Sequence, residues 1–179
     1  MSKRPGPKGL LTHKPELMPA AALLLEALCW NAAVFEFGSG GSTLWLAQKA
    51  ARVVSIEDDA RWYMAVRDAL ETQGTAVELR FVETEKMPGA IDGTGLWDVV
   101  FVDCRPQPVR LQAILRARTH VKPGGWLVAD DHNFPPVARG ISKLKAEGWD
   151  VAIVAGTKIH PVRRESVNAA TAFCRKPMR

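Results

Sequence analysis

Two kinds of apolar pattern alternate along most of the chain. Short runs of β-branched and aromatic residues, such as Ala33–Phe37, have the length and composition of buried strands. Longer segments between them, such as Asp59–Thr72, carry apolar residues at helical spacing. The predicted strands are Ala33–Phe37, Arg52–Ile56, Val77–Val82, Trp97–Val102, Trp126–Ala129, Trp149–Val154 and Asn168–Cys174, and the predicted helices are Leu17–Trp30, Ser42–Ala50, Asp59–Thr72, Pro108–His120 and Pro136–Glu147.

The order of these elements indicates how they pack. Strands that alternate with helices are typical of a mostly parallel sheet covered by helices on both faces, which makes a three-layer α/β/α protein. Residues 1–15 are rich in Pro, Gly and Lys and are predicted to be a flexible basic arm, so that residues 16–179 form one domain. We interpret Glu83–Gly95 as a loop or a broken helix and Gly156–Val167 as a loop. A lid over the ligand cleft would have to be formed by these two segments or by the first helix.

Composition adds few constraints. A chain of 179 residues with 47% hydrophobic and 24% charged residues is ordinary for one soluble globular domain. No apolar run approaches the ~20 residues that a membrane helix needs, and we recognise no signal peptide. The net charge of +5 favours acidic partners only weakly, because a solvated surface explains most of the basic residues. They are spread over the termini and one helical region that contains Arg110, Arg116, Arg118 and Lys122.

The three cysteines, Cys29, Cys104 and Cys174, are far apart in the sequence. No pair has the spacing of a metal site or a redox motif. Reduced thiols in a cytoplasmic protein are therefore the simplest interpretation. Cys104 follows a polar strand end, but no base is recognisable near it, so a catalytic thiol is not favoured.

The strongest local signal is a glycine-rich turn between the first strand and the second helix, within the letters VFEFGSGGSTLWLA. Glycines in such a turn allow a ligand to approach the backbone closely. Similar turns bind dinucleotides, and some are purely structural, so the turn by itself indicates a nucleotide-like ligand at most. The residues predicted to line the ligand here are Gly38, Ser39, Gly40, Ser42 and Thr43.

Two acidic positions narrow the choice of ligand. Glu36 lies two residues before the first glycine, where a carboxylate would repel a pyrophosphate but suits a cationic ligand with an amino group. S-adenosylmethionine carries both a sulfonium and an ammonium group, so it fits this position. Glu57 ends the second strand, about where an acid that accepts hydrogen bonds from ribose is expected. Glu57 and Asp58 would also suit the beginning of the next helix.

Five segments in one order resemble the class I methyltransferase family. EFGSGGS resembles its first motif, VVSIEDD its acidic second-strand end, and RFVETE the segment after strand three, where the family places an adenine contact. WDVVFVDC and VKPGGWLVADD resemble the fourth- and fifth-strand motifs, so the resemblance covers Val34–Asp131. It implies a Rossmann-like fold with a mostly parallel seven-stranded sheet and an antiparallel last strand. It also implies that S-adenosylmethionine contacts Glu57, Asp58, Glu83 and Asp103.

Within this class the chain is most similar to the metal-dependent O-methyltransferases related to catechol O-methyltransferase. That group ends strand four in an aspartate and strand five in Asp-Asn, and these side chains hold a divalent metal. The matching residues are Asp103, Asp130 and Asp131. The chain departs from the group at Asp131, where the group has asparagine, and at Pro106, where it has a lysine base. The resemblance thus implies a small-molecule substrate and a site for Mg²⁺ or another divalent metal.

The same acidic residues have simpler interpretations. Asp103 would also suit the wall of the cofactor pocket, and Asp130 or Asp131 would suit the cap of the helix that begins near Pro136. His132 is a usable base because an unperturbed histidine has a pKa of about 6.5, or it is an exposed loop residue. The candidate catalytic residues are Asp103, Asp130 and His132.

The function that these residues favour is methyl transfer from S-adenosylmethionine to an oxygen of a small molecule. The positive charge also suggests a nucleic-acid or protein methyltransferase, although Asp103–Pro106 does not match the [Asp/Asn/Ser]-Pro-Pro-aromatic motif of amino-methylating DNA enzymes. An NAD-binding oxidoreductase is disfavoured by Glu36 and by Thr43 at the third glycine position. A non-catalytic binding domain is the remaining alternative. Since no large insertion covers the cleft, we expect it to be open or covered by a second subunit in a homodimer, with no membrane partner.

Overall fold

The computed structural model describes Pro7, residues 11–159 and residues 165–178, and only the backbone of Gln107. Most of the predicted arm, residues 1–6 and 8–10, lies outside the described residues. So do residues 160–164 of the predicted loop Gly156–Val167.

Helices and strands alternate as the apolar pattern predicts. The helices are α1 (Pro19–Cys29), α2 (Gly41–Leu46), α3 (Ala60–Gln73), α4 (Gln107–Ala117) and α5 (Pro135–Ala146), with a 3₁₀ helix at Thr84–Ile91. The strands are β1 (Ala33–Phe37), β2 (Arg52–Glu57), β3 (Glu78–Phe81), β4 (Trp97–Val102), β5 (Val121–Ala129), β6 (Asp150–Ile159) and β7 (Ser166–Arg175).

The seven strands form one sheet in the order β3-β2-β1-β4-β5-β7-β6. Strands β1 to β5 pair in parallel, whereas β7 lies between β5 and β6 and is antiparallel to both. The order reverses between β1 and β4, which is where parallel sheets of this kind bind their ligands. This confirms the predicted Rossmann-like sandwich with an antiparallel last strand.

Helices cover both faces of the sheet. On one face, α1 packs Leu25 against strand residues such as Val34. On the other face, Ile114 of α4 and Ile141 of α5 pack against residues such as Phe35. Successive strand residues point to opposite faces, and both are covered, so β1 is buried almost throughout. Burial of each such side chain contributes ~1.5–3 kcal/mol.

The hairpin of β6 and β7 differs from the prediction. The segment Gly156–Val167 was expected to be a loop, but Gly156 pairs with Ala169 and the ladder continues to Ile159 and Ser166. The extra residues of β6 are mostly exposed and alternate poorly between apolar and polar, so the sequence pattern conceals them. Backbone hydrogen bonds to β7, rather than burial, hold this part of the strand.

Three other segments differ in extent between the prediction and the structure. The predicted helix Ser42–Ala50 ends as α2 at Leu46. The segment Glu83–Gly95 contains a 3₁₀ helix at Thr84–Ile91, which is consistent with a broken helix. Strand β5 begins at Val121 and not at Trp126, where the predicted strand begins, and its pairing with β4 is irregular there. Among the described residues no helix has the length and apolar content that a bilayer crossing requires.

Candidate active site

The carboxyl ends of the five parallel strands meet at one edge of the sheet, called here the polar edge. Backbone hydrogen bonds join consecutive strand ends: the Gly38 amide donates to Ile56, and the Asp103 amide donates to Phe37, both at 2.9 Å. The Asp130 amide donates to Val102 on the next strand at 3.2 Å. Polar residues that are far apart in sequence therefore follow neighbouring strands, and most of the predicted site residues lie at this edge.

Two of the three glycines in the turn are required by packing. Gly38 has a φ of +94°, and a Cβ there would lie 2.8 Å from the Cα of Cys104. A Cβ on Gly41 would lie 2.2 Å from the carbonyl oxygen of Thr12. Gly40 differs, because its backbone is extended and a Cβ would come no closer than 3.9 Å to any atom, that of the Trp62 ring. The fold does not explain this glycine, whereas the close approach of a ligand would.

Glu36 lies wholly inside the protein beneath the turn. Its carboxylate accepts hydrogen bonds from the hydroxyl groups of Ser42, Thr43 and Ser55, the last two at 2.6 Å. Burial raises the pKa of Glu36 to about 7, although these hydroxyl groups lower it. The Gly40 amide in turn donates to the Thr43 hydroxyl at 2.9 Å. The side chains of Ser42 and Thr43 therefore hold Glu36 and order the turn.

Glu57 fixes the turn against β2. Its Oε2 accepts a hydrogen bond from the Ser39 amide at 2.8 Å, and its Oε1 accepts one from the Asp59 amide at 3.0 Å. The side chain is fully buried. Beside it, the half-buried Asp58 accepts a hydrogen bond from the Thr84 hydroxyl at 2.6 Å, which places the start of the 3₁₀ helix next to the end of β2.

Another predicted cofactor residue, Glu83, is exposed at the end of the loop after β3. It forms an ion pair with Lys86 at 2.7 Å, and the hydrogen bond from Lys86 lowers its pKa. Its exposure leaves it accessible to a ligand at the polar edge.

Residues 11–18, which include the last residues of the predicted arm, run along the polar edge. Leu11 packs against Leu44 and Val66 of the α2–α3 layer. At the other end of this segment the main-chain oxygen of Glu16 accepts a hydrogen bond from Lys158 on β6. The segment thus reaches from the glycine turn to the last strands, and it covers part of the edge.

Three carboxylates lie together at the ends of β4 and β5. Oxygen atoms of Asp103, Asp130 and Asp131 all lie within 4.8 Å of one another. The guanidinium of Arg110 donates to Asp103 and to Asp131, each at 2.8 Å. Burial raises the pKa of Asp103 to about 7 although Arg110 lowers it, and Asp130 and Asp131 raise it further. The resemblance implied one metal site made of these three acids, and in the structure they lie together. The arginine between them was not predicted.

Asp130 is enclosed more completely than its neighbours. The Thr171 hydroxyl donates to its Oδ1 at 2.7 Å, and Lys158 donates to its Oδ2 at 3.1 Å. The Asp130 side chain is 4% exposed, against 28% for Asp103 and 21% for Asp131. Asp103 and Asp131 are therefore the acids that a substrate could reach.

His132 and Cys104 flank these acids. His132 is half-buried, and burial lowers its pKa, so it is neutral and able to accept a proton at neutral pH. Burial raises the pKa of Cys104 to about 12, which leaves no thiolate near neutrality. All three cysteines are free and buried.

Arg110 is buried, contrary to the expectation from the sequence. It was interpreted as part of a solvated surface, yet it is fully buried. It shares a helical face with Ala113, Ile114 and Ala117, all of which are fully buried. The spacing 110, 113, 114, 117 is that of one helix face, so a basic residue on that face was the available signal. Lys158, Ser55 and Thr171 were also missed, because their partners are distant in sequence.

The chain resembles solved methyltransferase structures over most of its length. It matches a putative O-methyltransferase from Klebsiella pneumoniae at 17% identity and a TM-score of 0.67, with 98% of this chain and 92% of that chain covered. It matches precorrin-6y C5,15-methyltransferase from Geobacter metallireducens at 16% identity and a TM-score of 0.69, with 96% of both chains covered. A third match is precorrin 8w decarboxylase from Methanobacterium thermoautotrophicum, at 20% identity and a TM-score of 0.67, covering 90% of this chain and 91% of that chain.

The fold is that of the Rossmann-like methyltransferases. No protein-family model and no curated protein sequence matches the chain. At these identities the structural matches establish the architecture, and the activity has to be argued from the site.

Proposed function

We propose that the chain is an S-adenosylmethionine-dependent methyltransferase that acts on an oxygen atom of a small molecule. The observation that carries the proposal is Gly40. It is a glycine that packing does not require, in a turn held by two buried acids, at the switch point of a methyltransferase-type sheet. The acidic residues that follow β2, β3 and β4 surround the same edge, as a cationic nucleoside ligand would need.

Most of the predicted cofactor residues then have a role at the ligand. The backbone of Gly38–Gly40 would lie against it, whereas the buried side chains of Ser42 and Thr43 hold Glu36. Glu57 lies at the end of β2, where an acid that contacts ribose is expected, and it holds the Ser39 amide of the turn and the Asp59 amide before α3. Asp58 and Glu83 lie on the side where adenosine would extend. Glu36 acts indirectly, since the hydroxyl groups around it separate it from the edge.

The chemistry requires a nucleophile aimed at the methyl group and a group that takes its proton. Bound S-adenosylmethionine supplies the electrophilic methyl group. Asp103, which is partly exposed at the end of β4, would orient the acceptor hydroxyl. His132 is the nearest uncharged base along the chain and would take the proton. Asp130 is tied to Thr171 and Lys158, so its role would be to hold its neighbours in place.

A nucleic-acid or protein methyltransferase is the second candidate, and the net charge of +5 is the observation that favours it. A macromolecular acceptor would need an open polar edge, whereas residues 11–18 already lie along it. A small substrate fits such a covered edge better, whether this segment or a second subunit completes the cover. An NAD-binding oxidoreductase is the third candidate.

Calorimetry with S-adenosylmethionine, S-adenosylhomocysteine and NAD tests the cofactor. We expect the first two to bind and NAD not to bind. Glu57→Gln should weaken the binding of S-adenosylmethionine at least tenfold, because a hydrogen bond to a charged group contributes ~1.5–3 kcal/mol. Glu78→Gln is the matched control on the neighbouring strand, since Glu78 is exposed and should leave binding unchanged. Binding of NAD alone would contradict the proposal.

A methyl-transfer screen tests the acceptor. Labelled S-adenosylmethionine would be offered with hydroxylated small molecules, with RNA and with unrelated proteins. We expect label on a small-molecule oxygen. Transfer to RNA or protein alone would favour the second candidate and would contradict the assignment of a small substrate.

A further inference from the structure

We propose that Arg110 is the resident cation of the Asp103–Asp130–Asp131 cluster, so that these carboxylates hold a guanidinium instead of a divalent metal. The resemblance of the sequence to metal-dependent enzymes predicts a metal between the same three acids. The inference rests on the contacts of Arg110 and stands whether or not the proposed methyl transfer is correct.

The position of the guanidinium is the first argument. Arg110 Nη2 donates to Asp103 Oδ1, and Nη1 donates to Asp131 Oδ2, each at 2.8 Å. A hard divalent metal binds carboxylate oxygens at about 2.0–2.6 Å. A metal shared by Asp103 and Asp131 would therefore lie against a guanidinium that carries a permanent positive charge. The two cations compete for one pair of carboxylates.

The second argument is that Arg110 cannot easily leave. Its Nε donates to the main-chain oxygen of Cys104 at 2.7 Å, and Nη1 also donates to that of Asp130 at 3.0 Å. These carbonyl groups fix the guanidinium plane, and the side chain is only 1% exposed. Displacing it would leave a buried cation without partners, which is strongly unfavourable.

The third argument is the charge balance of the cluster. Lys158 adds a second cation through its bond to Asp130. Three carboxylates with two resident cations have a formal charge of −1, instead of the −3 that would attract a divalent ion. The described charges are therefore largely balanced without any ion from solution.

The backbone at Asp131 agrees with this arrangement. Asp131 has a φ of +60°, in the left-handed region that few residues other than glycine, asparagine and aspartate adopt. In this conformation its carboxylate meets Arg110. We infer that Arg110 is a positioning residue, which holds Asp103 and Asp131 at a constant separation and presents them to the polar edge.

Manganese binding tests the inference without cofactor or substrate, so its outcome is independent of the proposed activity. Electron paramagnetic resonance reports free Mn²⁺ in the presence of wild type, Arg110→Met, Arg110→Lys and Arg116→Met. Arg116 is the matched control, because it lies on α4 but is exposed and pairs with Asp92. We expect Arg110→Met to bind Mn²⁺ at least tenfold more tightly than wild type. Arg110→Lys, which keeps the charge, and Arg116→Met should bind like wild type.

Stoichiometric binding of Mn²⁺ by wild type that Asp131→Asn abolishes would overturn the inference. So would equal affinity of wild type and Arg110→Met. A purely structural role for Arg110 predicts loss of stability but no new ion site. If Arg110→Met folds only when Mg²⁺ or Ca²⁺ is added, as circular dichroism would show, the inference is supported. If Arg110→Met does not fold at all, Mn²⁺ binding by Lys158→Met is compared with Mn²⁺ binding by wild type. Equal affinity contradicts the charge argument, and tighter binding by Lys158→Met supports it.

Discussion

A buried acid, Glu36, and two half-buried acids, Asp103 and Asp131, lie at the same edge of the sheet and are stabilised in different ways. Glu36, beneath the glycine turn, accepts hydrogen bonds from three neutral hydroxyl groups. Asp103 and Asp131, at the ends of β4 and β5, share the guanidinium of Arg110. Hydroxyl groups satisfy the oxygen atoms of a carboxylate without balancing its charge, whereas a guanidinium does both.

The difference indicates what each half of the edge is suited to do. Hydroxyl groups separate Glu36 from the surface, so it orders the turn and leaves the turn backbone for a ligand. The compensated cluster keeps two partly exposed carboxylates in defined positions, which suits contact with a polar substrate. A change at Glu36 should therefore alter how stability depends on pH, whereas a change at Arg110 should lower the stability itself.

The largest effect should come from removing the cation. Arg110→Met removes the guanidinium between Asp103 and Asp131, and breaking a buried ion pair by removing one partner costs about 3–5 kcal/mol. The free energy of unfolding, measured in urea, reports this loss. Arg116→Met should cost less than about 1 kcal/mol, because exposed ion pairs contribute little. Equal losses in the two variants would contradict the compensated cluster.

The next effect should be a dependence of stability on pH that comes from Glu36. Its pKa is about 7 in the folded chain and 4.5 when unperturbed, so the folded state holds its proton more tightly. The free energy of unfolding should therefore fall as the pH rises from about 4.5 to about 7, by the order of 3 kcal/mol, and then level off.

Glu36→Gln should remove this contribution, because the amide does not titrate while its size is kept. Urea unfolding of wild type and variant at pH 5 and pH 8 measures the difference. Parallel curves for the two proteins would show that Glu36 does not titrate in this range. Asp103, whose pKa is also raised to about 7, contributes to both proteins and does not affect the difference between them.

A smaller effect on stability should distinguish Gly41 from its neighbour Gly40. Gly41→Ala places a Cβ 2.2 Å from the Thr12 carbonyl oxygen, so the backbone of residues 11–18 must shift. We expect a cost of about 1–3 kcal/mol, as for other overpacked sites. Gly40→Ala should change the free energy of unfolding by less than about 0.5 kcal/mol, because its Cβ meets ordinary contacts. If Gly40→Ala were the more damaging change, the glycine at position 40 would be structural.

The order of strands and helices could be predicted because each element carries its own period of apolar residues. Strands such as Ala33–Phe37 and Trp97–Val102 were predicted with the bounds that the structure has. The long hairpin of β6 and β7 was not, since its outer residues are exposed and stabilised by backbone pairing, which no side-chain pattern records.

The site, like the fold, could be predicted from the sequence only in part. Glu57 and Asp103 were predictable because acids at the ends of parallel strands must meet at one edge. The burial of Glu36 under hydroxyl groups was not, because Ser55 reaches it from the next strand. Arg110 was missed although it has the helical spacing of the apolar residues Ala113 and Ile114, and the packing of α4 on β4 and β5 shows that this face is buried.

The central claim is that the turn around Gly40 binds S-adenosylmethionine, and calorimetry on wild type and Gly40→Ala tests it most directly. The account predicts saturable binding to wild type and an affinity at least tenfold weaker for Gly40→Ala, with unchanged unfolding in urea. Equal affinity in the two proteins, or no binding of S-adenosylmethionine to a folded wild-type chain, would contradict it.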